Sequence, residues 1–484
     1  MEMSFASTDA GGGKRENVIP ELTTLGLENE TFSGNKSTLN GGHPLFGSTW
    51  TMGGAFSFET GLPLKVPVKL ENSMETQDFF FKKVTTLGDI LYQNGYTNVV
   101  MKDLDMFFAG SKNYYQQHGH YTVKDYHYFE KNGYIPNGYF VWWGFEDYRL
   151  FEIAKKQLLE LAKSDKPFNL TFFTNDTHFE DGYICPKCQN DYQDPYSNVY
   201  RCSSRQVLDF VNWCKKQDFY KDTVIIISGD HLTMDSDYCD DLSKDFDRRT
   251  YINVINSGLK KQIDKDRVYS TFDLFPTTLS ALGFKIKGGR LGLGVDLFSE
   301  QKTLIEQYGI KKVNDELTKK SPFMEKLANI HCVFNAKYDH INEFLKDLAE
   351  KNKNHDLLVL ISQSGSSKGI FNEDSIKIAQ SIGLSSLVTK ISLKDDICNY
   401  QAVITRDKTK DQHKCGTILS NMKISGHTVY SVSTLEPQVK KNIGISILDD
   451  KYYTELTDGI NIIVYNLSLK QIDNVYNFAP VDEK

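Results

Sequence analysis

Asp230 and His231 stand side by side where an apolar, strand-like run, Val224 to Ile227, ends in "TVIIISGDHLTM". Carboxylate oxygen and imidazole nitrogen are the commonest non-thiolate ligands of divalent metals, so the pair reads as part of a cation site. The plainer alternative is an aspartate capping a helix beside a polar histidine. A second such group, Asp176-Thr177-His178, closes another apolar run, "PFNLTFFTND". Hydroxyls crowd at Ser48, Thr49 and Thr51, immediately before a small-residue, apolar helix pattern that starts at Met52. A hydroxyl at a helix N-terminus faces unpaired N–H groups and the positive end of the dipole, which favours an anion such as an alkoxide or a phosphoester. Glu2 offers another carboxylate. It would end a strand whose body lies upstream of Met1, and a missing upstream segment is expected.

These groups need elements to hold them. Residues 79 to 285 alternate between helical and strand-like patterns. "FFFKKVTTLGDILYQNGY" precedes "TNVVMKD", "YRLFEIAKKQLLELAKSD" precedes "PFNLTFFTND", and "SSRQVLDFVNWCKKQ" precedes "TVIIISGD". The βαβα rhythm predicts an α/β fold, with a mostly parallel sheet sandwiched by helices. Ligands of such sheets bind beyond the carboxyl ends of the strands, where both Asp-His groups fall. With 484 residues the chain exceeds one ordinary core, which predicts a second, smaller α/β, β-rich domain. The expected boundaries are 1–300 for the catalytic domain, 301–325 for a polar linker and 326–484 for the accessory domain. The net charge of −7 gives no support to a nucleic-acid partner. No stretch approaches a membrane-spanning length, and the N-terminus lacks the apolar core of a signal peptide.

The eight cysteines leave the redox compartment open. Cys185, Cys188 and Cys202 cluster in sequence, while Cys214, Cys239, Cys332, Cys398 and Cys415 are scattered. A Cys-x-x-Cys followed by a further cysteine can hold zinc, yet a second Cys-x-x-Cys or a His-x-x-x-His is absent. A disulfide such as Cys188–Cys202 and unpaired thiols are the other readings.

The order of an early acid, a threonine-led helix, "DTHFEDGY" and "SGDHLTM" resembles the alkaline-phosphatase/sulfatase superfamily, and within it the phosphoglycerol transferases and lipoteichoic acid synthases. "GSTWTMGGAFSFETGLPL" is similar to their nucleophile segment, "WWGFEDYRLFEIA" to their Trp-Gly segment, and "STFDLFPTTLSALGFKIKGGRLGLGVDLFS" to the segment that closes the domain. The resemblance covers roughly residues 1–300. It implies a sulfatase-like fold and one divalent ion, Mn2+ first with Mg2+ or Zn2+ as alternatives, held by Glu2, Thr51, Asp230 and His231. It makes Thr51 the nucleophile and sets His178 against the phosphoryl oxygens or the leaving group, with Trp143 and Arg149 as pocket-wall residues. Lys102 and Asp103 replace the polar pair usual after that strand and are left out of the site.

The implied reaction moves a phospho-substituent, such as phosphoglycerol, from a phospholipid or other activated donor to a surface or capsular polysaccharide or oligosaccharide. It would pass through a phospho-threonine. The resemblance places it in the cell envelope, periplasmic or on the outer face of the inner membrane; without a signal or spanning segment in this chain, a cytoplasmic place stays open, as does the oligomeric state. Rival readings are a phosphoethanolamine or other phospho-group transferase, a phosphodiesterase or sulfatase-like hydrolase, and a non-catalytic glycan-binding protein. Formylglycine maturation needs Cys or Ser, so Thr51 disfavours a sulfatase. In the second domain, "LLVLISQSGSSKGIFNEDSIKIAQSIGL" and "DGINIIVYNLSLKQIDNVYNF" resemble pieces of an interleukin-like EMT-inducer (PANDER-like) domain, in reversed order. Modules of that kind can bind carbohydrate, so an acceptor-holding role is expected there.

Overall fold

The computed structural model describes residues 1–65, 74, 79–328, 338–364, 369–384, 399–406, 409–414, 418–424, 427–433, 444–447, 452–455, 459–467 and 471–479. The chain divides into two compact units, Met1–Lys65 with Phe81–Leu327, and Val66–Phe80 with Ala328–Lys484.

The first unit runs through α1 (Pro20–Glu28), β1 (Gly41–Gly42), α2 (Thr51–Thr60), α3 (Leu87–Gln93), β2 (Thr97–Lys102), α4 (Ser111–Gln117), β3 (Thr122–Lys124) and α5 (Tyr126–Lys131). It continues through α6 (Asp147–Leu161), β4 (Phe168–Phe173), α7 (Pro195–Cys214), β5 (Ile225–Ser228), β6 (Thr250–Ile255) and α8 (Leu274–Ala281). Strand β2 lies between β3 and β4, parallel to both, with Val99 opposite Thr122 on one side and Leu170 on the other. Helix α6 presents Leu150, Phe151, Ala154 and Leu158 to this sheet, a spacing of one or two turns that leaves Glu152, Lys156 and Glu160 exposed on the other face. Phe151 packs between Phe172 of β4 and Phe210 of α7, at ring separations of 5.6 and 5.4 Å. Removing such a ring costs about 3–5 kcal/mol, so this trio ties helices to sheet.

The α/β expectation holds, with one difference in detail. The strand in "TVIIISGD" does not extend the parallel set: β5 pairs antiparallel with β6, Ile225 facing Ile255, and β6 pairs antiparallel with β1. An apolar run of four residues carries no direction of its own, so pattern alone could not fix this. Among the described residues β4 and β5 do not pair with each other, and both are half-buried along their whole length. Beyond α8 come β7 (Arg290–Leu291) and β8 (Gly294–Val295), then α9 (Leu304–Tyr308), α10 (Ile310–Thr318) and α11 (Pro322–Ala328). Within residues 301–325, expected to be a linker, α9 and α10 pack on the first unit. Ile305, Val313 and Leu317 join Leu45 and Phe272 in one apolar cluster, because they recur at helical spacing.

The second unit contains α12 (Ile341–Lys351), β9 (Leu357–Ser364), α13 (Glu373–Ser381), β10 (Asn399–Thr405), β11 (Thr409–Lys414), β12 (Ile418–Ile424), β13 (His427–Ser433), β14 (Gly444–Ile447), β15 (Tyr452–Glu455), β16 (Gly459–Asn466) and β17 (Gln471–Phe478). One antiparallel sheet has the order β11-β10-β9-β16-β17 and a second runs β12-β13-β14-β15. Alternate residues of β9 and β16, Leu357, Val359, Ile361 and Ile460, Ile462, Val464, share a core with Phe344, Leu345 and Leu348 of α12. The two sequence pieces that come in reversed order are thus direct neighbours, Gly459 opposite Ser364 through Asn466 opposite Leu357. Among the described residues no helix is long and apolar enough to cross a membrane. Cys332, Cys398 and Cys415 lie outside the described residues.

Candidate active site

Helix α2 delivers the hydroxyl. Trp50 at its N-cap is extended and no side chain caps the first turn, so the leading N–H groups face the site. The three neighbouring hydroxyls part company here. Ser48 is buried and closes a turn, its hydroxyl donating to the Leu45 carbonyl and accepting from the Leu45 N–H, both at 2.9 Å. Thr49 is exposed. Thr51 alone reaches the Asp-His pair, with Oγ1 3.4 Å from His231 Nε2. The approach depends on Gly54, where a Cβ would stand 2.3 Å from the Asp230 carbonyl oxygen. The far end of α2 is held by Glu59, whose buried carboxylate accepts from the Tyr114 and Tyr115 hydroxyls at 3.1 and 2.9 Å.

Asp230 and His231 follow β5 directly. The His231 ring is oriented by its Nδ1, which donates to the Leu232 carbonyl at 2.7 Å and so turns Nε2 toward Thr51 and Asp230. Asp230 Oδ2 lies 3.4 Å from that Nε2, and Oδ1 accepts from the His231 N–H at 2.9 Å. Burial would raise the Asp230 carboxyl. The His231 ring, the α-amino group, the His231 N–H and the Thr51 hydroxyl outweigh it and bring the pKa down to about 2. Asp230 is an anion at any ordinary pH.

His178 follows β4 on the neighbouring loop. Its Nδ1 donates to the Phe179 carbonyl at 2.6 Å, freeing Nε2. Burial depresses its pKa; the Phe179 carbonyl and Asp230 push the other way, while His231 and Lys102 add to the depression. The loop is braced by Tyr196 of α7, whose hydroxyl donates to the Thr177 carbonyl at 2.8 Å and meets Thr233 Oγ1 at 3.3 Å. The Asp181 N–H also donates to Asp235, so the His178 and His231 loops are tied to each other. Trp143 lies 5.2 Å from the His178 ring and stays half exposed, an aromatic wall open to solvent.

Two sequence candidates are held elsewhere. Arg149 is engaged by Glu146 at 2.9 Å and the Tyr139 hydroxyl at 3.3 Å. Glu2 is fully buried beside β6, where it bridges to Thr250. Its carboxylate accepts from the Thr233 N–H at 2.8 Å and from both arms of the Arg248 guanidinium. Its ligand oxygens therefore do not converge with those of Asp230 and His231; among the described residues the one group of three metal-type side chains within 4.8 Å of one another is Cys185, Cys188 and Cys202. Those sulfurs are not bonded: Cys185 stands 3.8 Å from Cys202 and 3.8 Å from Cys188, and all three are free thiols, so of the readings left open the disulfide such as Cys188–Cys202 is not formed.

The structure adds residues that sequence reasoning left aside. Lys102, at the end of β2, lines a small cleft with Thr51, Met52, Ser111, Tyr115 and Phe173. Its ammonium lies over the Phe173 ring at 5.3 Å. Burial lowers its pKa, against the attraction of Asp103 and Asp230. Behind it, burial and neighbouring carboxylates push Asp103 well up and Asp176 to about 10, and burial brings Asp147 to about 6. The position of Lys102 at a strand's carboxyl end was the available signal; Arg248, in "DFDRRTY", offered none.

Thr51, Asp230 and His231 suit a divalent ion. Nitrogen and oxygen ligands bind such ions at about 2.0–2.2 Å, which sets neighbouring donors about 3 Å apart. The observed 3.4 Å separations around His231 Nε2 need little adjustment. A hydroxyl, a carboxylate and an imidazole form a donor set common to zinc and manganese.

Comparison with known proteins finds relatives of the first unit. A family model described as Sulfatase matches residues 6–284. Phosphoglycerol transferase I of Xanthomonas axonopodis pv. citri (strain 306) is 32% identical over 242 residues, 49% of this chain and 34% of its own length. Phosphoglycerol transferase I of Escherichia coli O127:H6 is 31% identical over 301 residues, 59% of this chain and 36% of its own. The chain thus spans about a third of the length of these curated relatives. Among solved structures, the lipoteichoic acid synthase LtaP of Listeria monocytogenes is similar with a TM-score of 0.48 and 15% identity, over 61% of this chain and 72% of that one. A protein of the alkaline phosphatase superfamily from Vibrio parahaemolyticus gives 0.46 and 22%, over 63% and 69%.

Proposed function

The chain belongs to the sulfatase family, and from that premise we propose that its first unit is a metal-dependent phospho-group transferase with Thr51 as nucleophile. The observation that carries this reading is the Thr51 hydroxyl at an uncapped helix N-terminus, in contact with His231 beside an ionised Asp230. Thr51, Asp230 and His231 would hold the ion, with Glu2 as a fourth ligand if Arg248 releases it. When bound, the ion supplies a Lewis acid that lowers the pKa of the threonine hydroxyl and offsets charge on the phosphoryl oxygens.

The residues of the chain do the rest. Thr51 Oγ1 gives up its proton and forms a bond to phosphorus as the bond to the donor's alcohol breaks, and that proton passes to the departing oxygen. His178, neutral at neutral pH through its burial, presents the Nε2 lone pair as the base that takes up the Thr51 proton and then, as imidazolium, gives it to the leaving oxygen. Lys102 and the N–H groups of α2 offset negative charge gathering on the non-bridging oxygens. An acceptor hydroxyl then displaces Thr51 and closes the cycle. The similarity to phosphoglycerol transferase I supports phosphoglycerol as the transferred group; a phospholipid donor, a cell-envelope or capsular glycan acceptor and manganese as the ion complete the proposal.

The test is transfer of radiolabelled phosphoglycerol from a phosphatidylglycerol vesicle to an oligosaccharide, with metal removed and restored. Label in the glycan that vanishes with chelation and returns with Mn2+ is expected. Label released only as free glycerol phosphate would make the protein a hydrolase.

A further inference from the structure

The turn Cys185-Pro186-Lys187-Cys188 and the helix-borne Cys202 bring three sulfurs to one point, and the proposed reaction uses none of the three. The Cys188 N–H donates to the Cys185 carbonyl at 2.9 Å, which closes the turn. The Lys187 N–H faces the Cys185 sulfur. Cys185 and Cys202 are buried and Cys188 is half-buried. Both measured contacts, Cys185 to Cys202 and Cys185 to Cys188, are 3.8 Å. A disulfide would need about 2.05 Å. Thiolates on one tetrahedral zinc at about 2.3 Å stand about 3.8 Å apart, the edge of that tetrahedron.

A second observation points the same way. Asp176 is 4% exposed, and its Oδ2 has no hydrogen-bond partner. Its other oxygen, Oδ1, is met by the Asp147 N–H at 3.3 Å. The carboxyl group lies against the Cys185 thiol. On the opposite flank Gln206 donates to the Cys202 sulfur at 3.3 Å, as outer residues do around metal-bound thiolates.

We propose that Cys185, Cys188 and Cys202 form a second metal site for a thiophilic divalent ion, zinc by its donor set, with Asp176 beside Cys185 at its edge, and that the ion pins the His178 loop to α7. Binding replaces the thiol protons with the ion and releases them to solvent. The ion holds the Cys185–Cys188 turn, which follows His178, while Asp176, two residues before His178, lies against Cys185. The Tyr183 N–H to Asp176 carbonyl bond, 2.7 Å, already folds these ends together. Cys202 belongs to α7, the helix whose Tyr196 braces the same loop. The site serves the geometry of His178 without touching substrate.

The experiment is cobalt substitution in the full chain, purified under reducing conditions and stripped by chelation. One equivalent of Co2+ should give a tetrahedral spectrum with thiolate-to-cobalt charge transfer, and Zn2+ should displace it. Asp230→Asn should keep that signal, which separates the site from the proposed catalytic one. Cys188→Ser should weaken binding at least about 10-fold and speed amide exchange across residues 176–188. Absence of charge transfer in the wild-type protein overturns the proposal, as does a peptide map showing Cys185 linked to Cys188 or Cys202 after non-reducing isolation. If Cys188→Ser does not fold, the wild-type cobalt spectrum decides alone.

Discussion

Thr51 and Asp230 come from opposite ends of the first unit's sequence and meet at His231 Nε2, so the site is read one side chain at a time. Asp230 and His231 were legible because two strong ligand types end an apolar strand, a place where few structural roles require them. Thr51 was separable from Ser48 and Thr49 only through its resemblance to a known segment; the structure supplies the physical reason, since Ser48 is used up by its turn. Glu2 was legible as a carboxylate but not as a partner of Arg248, because a guanidinium fork chooses its carboxylate by tertiary geometry. At this scale Asp230→Asn is expected to abolish tight binding of one ion while the far-ultraviolet circular dichroism stays unchanged. The carboxylate sits at a strand end, outside the core. Metal content after dialysis is the check, and a full equivalent retained by the variant at the Thr51 site would remove Asp230 from the ligand set.

Helix α2 carries the argument among elements, since both of its ends are specified. Gly54 lets its backbone lie against the Asp230 carbonyl, where a methyl group would intrude to 2.3 Å. Gly54→Ala should therefore shift Thr51 from His231. A displacement near 1 Å costs about 100-fold in rate, and overpacking against backbone costs about 1–3 kcal/mol of stability. Turnover measured beside a denaturant melt tests this, and an unchanged rate would mean the helix does not position the nucleophile. At the other end Glu59 is raised by burial from 4.5 to about 7, although the hydroxyls of Tyr115 and Tyr114 and the charge of His118 pull it down. The folded state holds this proton where the unfolded chain has lost it, so stability falls as pH rises from about 4.5 to 7 and the contribution is gone above that. The window is worth roughly 3 kcal/mol at most. Glu59→Gln should flatten the decline in urea melts taken from pH 5 to pH 8. Nothing in "GGAFSFET" announces a clamp, because the two tyrosines lie more than fifty residues on; nor could "TVIIIS" declare the antiparallel partner that β5 takes.

For the whole molecule, two units were legible from length and from the change of pattern after residue 300, whereas the packing of residues 301–325 on the first unit was not. Their polar surface read as a bridge, and the apolar stripe of Ile305, Val313 and Leu317 is narrow. If the second unit holds the acceptor, a chain ending after Leu327 should keep the first displacement and lose most transfer to glycan, because remote binding energy positions the attacking hydroxyl. Equal transfer by the full and shortened chains would give the second unit another purpose. The covalent step on Thr51 has a direct measurement. Full-length protein incubated with phosphatidylglycerol and Mn2+ without acceptor is quenched in acid, weighed intact and mapped by peptide mass spectrometry. The account predicts one added glycerophosphoryl group, on the peptide containing Thr51, absent from Thr51→Ala and lost when an acceptor glycan is added. A mark on Ser48 or Thr49, or turnover that persists in Thr51→Ala, would contradict it.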